Sequence, residues 1–241
     1  MNDPTSISMG TLIGVGVGPG DPDLITLKAL KAIEAASVIA WPAGLEGPSL
    51  ARTIAAPHIK GNKIEIAIRM PMVAERFPAK QVYDDAAREI GEHLKAGRDV
   101  VVLCEGDPFF YGSFMYLYGR MAADFPVKVI PGVSSIMATA AAIGAPLASR
   151  NDILTVLPGP LDEETLFLRL RNIDAAAIIK LGKNLGKVRS VLARHDLIGC
   201  ARYIEHATMD TQSVKPMSDV IGDTAPYFSM ILVHKRIDAW K

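Results

Sequence analysis

From Thr11 onward, short apolar runs alternate with amphipathic stretches, and three of the apolar runs end in a Gly/Pro cluster. Alternation of that kind predicts α/β layering, with buried strands that read as continuous apolar segments. Strands are predicted at Thr11 to Gly16, Val38 to Trp41, Lys63 to Ile68, Asp99 to Cys104 and Val127 to Ile130. In the third of these, Ile64, Ile66 and Ile68 share one face at period two. Helices are predicted at Leu27 to Ala36, which Thr26 can cap, and at Ala79 to Ala96, where Val82, Ala86, Ile90 and Leu94 recur every fourth residue. Two more are expected near Ser113 to Ala123 and from Ser134. The stretch Ala145 to Asp152, with Pro146, Ser149, Arg150 and Asn151, breaks the pattern and reads as a hinge. Beyond it lie strands near Ile153 to Leu157, Ala175 to Leu181, Ala201 to Ile204 and Ser229 to His234, with helices near Asp162 to Arg171 and Leu185 to His195. The expected fold is therefore two α/β domains, residues 10–148 and 149–241.

Composition excludes several classes of function. The 26 basic and 26 acidic side chains leave no positive field for nonspecific nucleic-acid binding. Two cysteines, Cys104 and Cys200, far apart and without Cys/His spacing, argue against a disulfide scaffold and a structural zinc site, and suit a reducing cytoplasm. Met1 to Ser8 does not read as a signal peptide. The most membrane-like stretch, Ser134 to Ala148, is interrupted by Gly144 and Pro146 and falls short of the ~20 residues a span needs. No membrane association is expected.

The chemistry concentrates where predicted strands end. The first cluster, Gly14-Val15-Gly16-Val17-Gly18-Pro19-Gly20-Asp21-Pro22, stands where a dinucleotide fold puts its phosphate loop, but neither register completes GxGxxG. The second strand also ends Ala40-Trp41-Pro42-Ala43, without the acidic residue that binds a ribose hydroxyl, so NAD is not expected. The cluster is either a turn kept for backbone geometry or a loop that lets backbone approach a ligand. The second cluster is Glu105-Gly106-Asp107-Pro108-Phe109-Phe110-Tyr111-Gly112, in which a sharp turn offers amides and carboxylates while three aromatics can wall an apolar slot. In the third, Pro131-Gly132-Val133-Ser134-Ser135, a serine can cap the following helix and bare N–H groups suit a carboxylate. Ligands of open α/β sheets lie beyond the carboxyl ends of the strands, so the three turns together mark a binding crevice.

Gly14-x-Gly16-x-Gly18-Pro19-Gly20-Asp21-Pro22 with Leu24-Ile25-Thr26-Leu27-Lys28-Ala29, then Gly106-Asp107-Pro108-Phe109, then Pro131-Gly132-Val133-Ser134-Ser135, resemble the tetrapyrrole methylase family in order and spacing. The fuller string Cys104 to Phe114 is similar to the branch that methylates C20 of precorrin-2 in cobalamin biosynthesis. The resemblance implies two α/β domains, S-adenosylmethionine in the cleft between them, a homodimer, and a tetrapyrrole substrate bearing many carboxylates. By motif position Pro19, Glu105, Gly106, Asp107, Phe110, Tyr111, Ser134 and Ser135 would meet the cofactor, with Leu181 and Ala207 from the second domain. Gly18 and Asp21 would meet the substrate. Members acting on uroporphyrinogen III carry Tyr-Asp where this chain has Trp41-Pro42, so their acid/base candidate is missing here.

Six basic residues stand between Arg52 and Lys80 against Glu65 and Glu75, mostly as a solvated face, but Arg69 before the Met70-Pro71-Met72 loop is a candidate for a substrate carboxylate. Arg150 is expected to hold either a propionate or the domain junction. The five histidines lack ligand spacing, and no metal is expected. Rival readings are a cobalt-factor II C20-methyltransferase, a methylase acting at another ring carbon, and a non-catalytic tetrapyrrole carrier. No residue presents itself as the catalytic base.

Overall fold

The computed structural model describes residues 8–70 and 76–236 of the 241-residue chain, the side chains of residues 76–79 excepted. The expected Pro71-Met72 loop, Glu75, the Arg76 side chain and most of the amino-terminal segment lie outside the described residues. Packing divides the chain between Ser134 and Ser135.

The first unit is a five-stranded parallel sheet. Its strands are β1 (Leu12–Gly16), β2 (Val38–Gly44), β3 (Ile64–Met70), β4 (Val100–Cys104) and β5 (Val127–Ile130), in the order β3-β2-β4-β1-β5. Helices α1 (Leu27–Ala35), α2 (Leu50–Ala55), α3 (Arg76–Lys95) and α4 (Phe114–Met121) cover it. All five residues of β4 are buried, as a central strand with two covered faces requires. Val100, Val102 and Cys104 pack with α3 and α4, whereas Val101 and Leu103 pack with α1 and α2. The period-four stripe of α3 joins the first of these cores through Ala86, Ile90 and Leu94. Thr26 caps α1 as expected, its hydroxyl oxygen accepting the Ala29 N–H at 3.2 Å. The expected apolar face of β3 holds for Ile66 and Ile68, but Ile64 is exposed because β3 is an edge strand.

The second unit contains α5 (Ser135–Ile143), β6 (Leu154–Pro158), α6 (Glu163–Leu170), β7 (Ala175–Ile179), α7 (Leu185–Arg194), β8 (Ala201–Glu205), β9 (Ser213–Pro216) and β10 (Ser229–His234). The sheet order is β6-β7-β10-β8-β9, with β6 and β7 parallel and the remaining pairs antiparallel. Alternation along β7 splits its side chains between two cores: Ala176 and Ile178 pack with α6 and α7, Ala177 and Ile179 with Ile136 of α5. That packing explains why the division of the chain differs from the break expected at 148/149. The helix before the Pro146 break belongs to the sheet after it, a tertiary choice that local composition does not reveal.

Candidate active site

Strands β1, β4 and β5 are parallel, so Gly16, Cys104 and Ile130 end at one edge of the first sheet. The turns leaving that edge are fastened to one another. Val17 N–H donates to the Cys104 carbonyl at 2.9 Å, Gly106 N–H to Gly18 O at 2.8 Å, and Gly18 N–H to Gly106 O at 3.3 Å. Gly18 and Gly106 form this isolated bridge with φ of 81° and 63°, the left-handed region that favours glycine. A Cβ on Gly16 would stand 2.5 Å from both Gly106 O and Gly132 N, and one on Gly132 would fall on the Gly106 carbonyl. Three backbones therefore cross in contact, and glycine is what lets them. Main chain thus fastens these turns to one another at the strand ends.

Asp107 completes the fastening. Its Oδ2 accepts the Gly132 N–H at 3.1 Å and its Oδ1 the Phe109 N–H at 2.9 Å, so both oxygens hold the turns together. Asp21, a substrate candidate in sequence, uses Oδ1 to cap its own turn through Asp23 N–H at 2.8 Å. Pro19 is buried, whereas Phe110 and Tyr111 are exposed and meet edge to face at 5.1 Å. Phe109, also exposed, leans edge-on against Tyr118 at 5.2 Å. The three aromatics thus form a surface wall beside the turns. Gly132, Ser134 and Ser135 are half-buried, which leaves main chain after β5 accessible.

Glu105 differs from its neighbours. It follows Leu103 by two positions, so it belongs to the face of β4 that carries Trp41, Ala43 and Ala51 in its core. Its Oε1 accepts the Ala51 N–H at 3.2 Å at the start of α2. Burial pushes its carboxyl above the usual carboxylate range, against the pull of its own backbone and that of Ala51. Among the described residues no basic side chain pairs with it. Ser49, the cap of α2, donates its hydroxyl to Pro42 O at 2.7 Å, which ties this corner to the end of β2. Arg52 stacks 5.5 Å over the Trp41 ring and grips Glu65 through Nε at 3.1 Å and Nη2 at 2.9 Å. Burial likewise keeps Cys104 a thiol, with its pKa pushed up.

The remaining candidates stand elsewhere. Arg69 donates from Nη1 to the carbonyls of Gly44 and Leu45 at 3.1 and 3.2 Å, holding the turn after β2. Arg150 is exposed with φ of 50°. In the second unit Leu181 and Ala207 follow β7 and β8, whose carboxyl ends share one edge because β10 runs antiparallel to both. Leu181 is fully buried in the core, whereas Ala207 is half-buried. One polar cluster had no signal in the sequence. Asp152, whose side chain is buried, pairs with Arg236 and lies 3.3 Å from His234 Nε2, residues far apart along the chain and without motif spacing. Among the described residues no group of three or more His, Cys, Asp or Glu is placed to hold a metal.

The family model described as Tetrapyrrole (Corrin/Porphyrin) Methylases matches residues 11–219. A Precorrin-2 C(20)-methyltransferase from Sinorhizobium sp is 39% identical over 237 residues, covering 95% of this chain and 97% of that protein. The Cobalamin biosynthesis protein CobIJ of Mycobacterium bovis is 40% identical over 232 residues, which are 93% of this chain and 46% of that protein, so the chain spans about half its length. Among solved structures, the Uroporphyrin-III C-methyl transferase of Thermus thermophilus complexed with S-adenyl homocysteine superposes with a TM-score of 0.68 at 20% identity, covering 94% of this chain and 98% of that one. With motifs, fold and relatives in agreement, this chain belongs to the tetrapyrrole methylase family.

Proposed function

We propose that the chain methylates C20 of precorrin-2 to give precorrin-3A, using S-adenosylmethionine, as a step of cobalamin biosynthesis. The observation that carries the reading is the 39% identity to a protein named for that reaction, extending over 97% of its length. The donor set at the edge of the first sheet suits the methyl donor: accessible main chain after β5, the Gly18–Gly106 bridge, and exposed aromatic rings beside them. Pro19, Glu105, Gly106, Asp107, Phe110, Tyr111, Ser134 and Ser135 are the residues proposed to hold it. When bound there, it supplies a methyl group on a positively charged sulfur that leaves as a neutral thioether.

The protein's own contribution is positioning. Turns locked by backbone hydrogen bonds and by Asp107 hold donor and acceptor sites without reorganisation, which is worth more here than a strong nucleophile. Gly18, Asp21, Arg69 and Arg150 are proposed to meet the tetrapyrrole, the two arginines through its carboxylates. Action as a cytoplasmic homodimer is part of the same proposal. The test is transfer of radiolabel from methyl-labelled S-adenosylmethionine to metal-free precorrin-2 and to its cobalt-loaded counterpart. Label in the metal-free acceptor is the expected result. Transfer only to the cobalt form would move the enzyme to the rival substrate, and binding without transfer to either would make it a carrier.

A further inference from the structure

Replacing the hydrogen on C20 by methyl leaves one proton to remove. As the C20–CH3 bond forms and the methyl–sulfur bond breaks, the C20–H pair must return to the macrocycle and its proton must pass to a base. We propose that Glu105 is that base, an assignment that rests on the methyltransferase reading above. Its place in the fold supports it. Glu105 is the first residue past β4, beside the Gly18–Gly106 bridge, at the edge where the turns gather. One oxygen is positioned by the Ala51 N–H, and no cation neutralises the group among the described residues.

The surrounding ionisable groups are otherwise engaged. On its own turn, Asp107 is held by two amides and Cys104 is a buried thiol. On α2, Arg52 is committed to Glu65; on the loop after β1, Asp21 caps a turn. The middle of β2 offers Trp41 and Pro42, neither of which accepts a proton. A carboxylate raised by burial, as Glu105 is, lies closer to the working pH and accepts a proton more readily than an ordinary one.

The test compares wild type with Glu105→Gln, in which the amide oxygen can still accept from Ala51. Because the folded-state pKa is raised, the carboxyl's favourable contribution is complete below the unfolded value of 4.5 and is lost as pH rises through the folded value. Melting curves should therefore show wild type losing stability relative to Glu105→Gln as pH rises from the ordinary carboxylate range to the raised folded value, and a constant difference above it, a readout independent of turnover. In the variant, kcat should fall roughly 100-fold or more, the size expected for a lost general base, and the acid limb of the wild-type pH profile should disappear. Affinity for S-adenosylmethionine by calorimetry should fall less than kcat, by no more than about tenfold, because the amide keeps the side chain's size and its acceptor oxygen. A variant with wild-type kcat and an unchanged acid limb overturns the assignment while leaving the methyltransferase reading intact, and so does a flat difference in melting. A wild type that transfers no methyl group overturns both.

Discussion

Gly132 has no room for a side chain. Its α-carbon faces the Gly106 carbonyl and the main chain of Gly16, so alanine forces the turn after β5 away from the turn after β4. Overpacking of this kind costs about 1–3 kcal/mol, and here the strain falls on the turn carrying Ser134 and Ser135. Gly132→Ala should therefore lower the melting temperature and weaken S-adenosylmethionine at least about tenfold, equivalent to ~1.4 kcal/mol of misplacement. Parallel melting and calorimetric titration of the purified variant check it. Unchanged affinity in a folded variant would remove this crossing from the ligand site. At this scale the glycine clusters were legible in the sequence because glycine at a strand end has few other uses. The clamping role of Asp107 was less so: a carboxylate in a turn shows no partner in sequence, and its bonds to the Gly132 and Phe109 amides emerge only in the fold.

Among the elements, α2 is the one that positions Glu105, and it is only six residues long. Such a helix shows no apolar period in sequence, and a helix this short depends on its cap and its packing for stability. Ser49 supplies the cap, accepting from Arg52 N–H at 3.4 Å while donating to Pro42 O. Ser49→Ala should cost about 1 kcal/mol, the usual loss for an N-cap, and should lower kcat more than it raises KM because it loosens the amide that holds Glu105. Urea unfolding and steady-state kinetics measure the two effects; no change in either would detach α2 from the site. Strand β4 was legible because both its faces are covered and its residues run apolar without interruption, and β3 because its isoleucines recur at period two. β9 was not: Ser213–Pro216 is a mostly exposed edge pairing only with β8, and its polarity looks like a loop.

At the scale of the whole molecule, the sequence shows two α/β units but not which of them owns α5. The alanines of that helix fit either sheet, and its packing on Ala177 and Ile204 is a long-range fact. The same holds for the polar contacts. Glu105 meets Ala51, and Asp152 meets His234, across separations that no motif spans, whereas the backbone turns were readable because each is local. Leu181, a position found by motif, has its side chain in the core, a burial that the motif does not reveal. The central chemical claim is that methyl transfer ends at C20. Its most direct measurement is carbon NMR of the tetrapyrrole recovered after incubating precorrin-2 with the chain and S-adenosylmethionine labelled with carbon-13 in the methyl group. One enriched methyl signal, whose protons correlate with C20 and with the ring carbons on either side of it, accompanied by loss of the C20 proton, is the predicted result. Enrichment at any other ring carbon, or none, would contradict it.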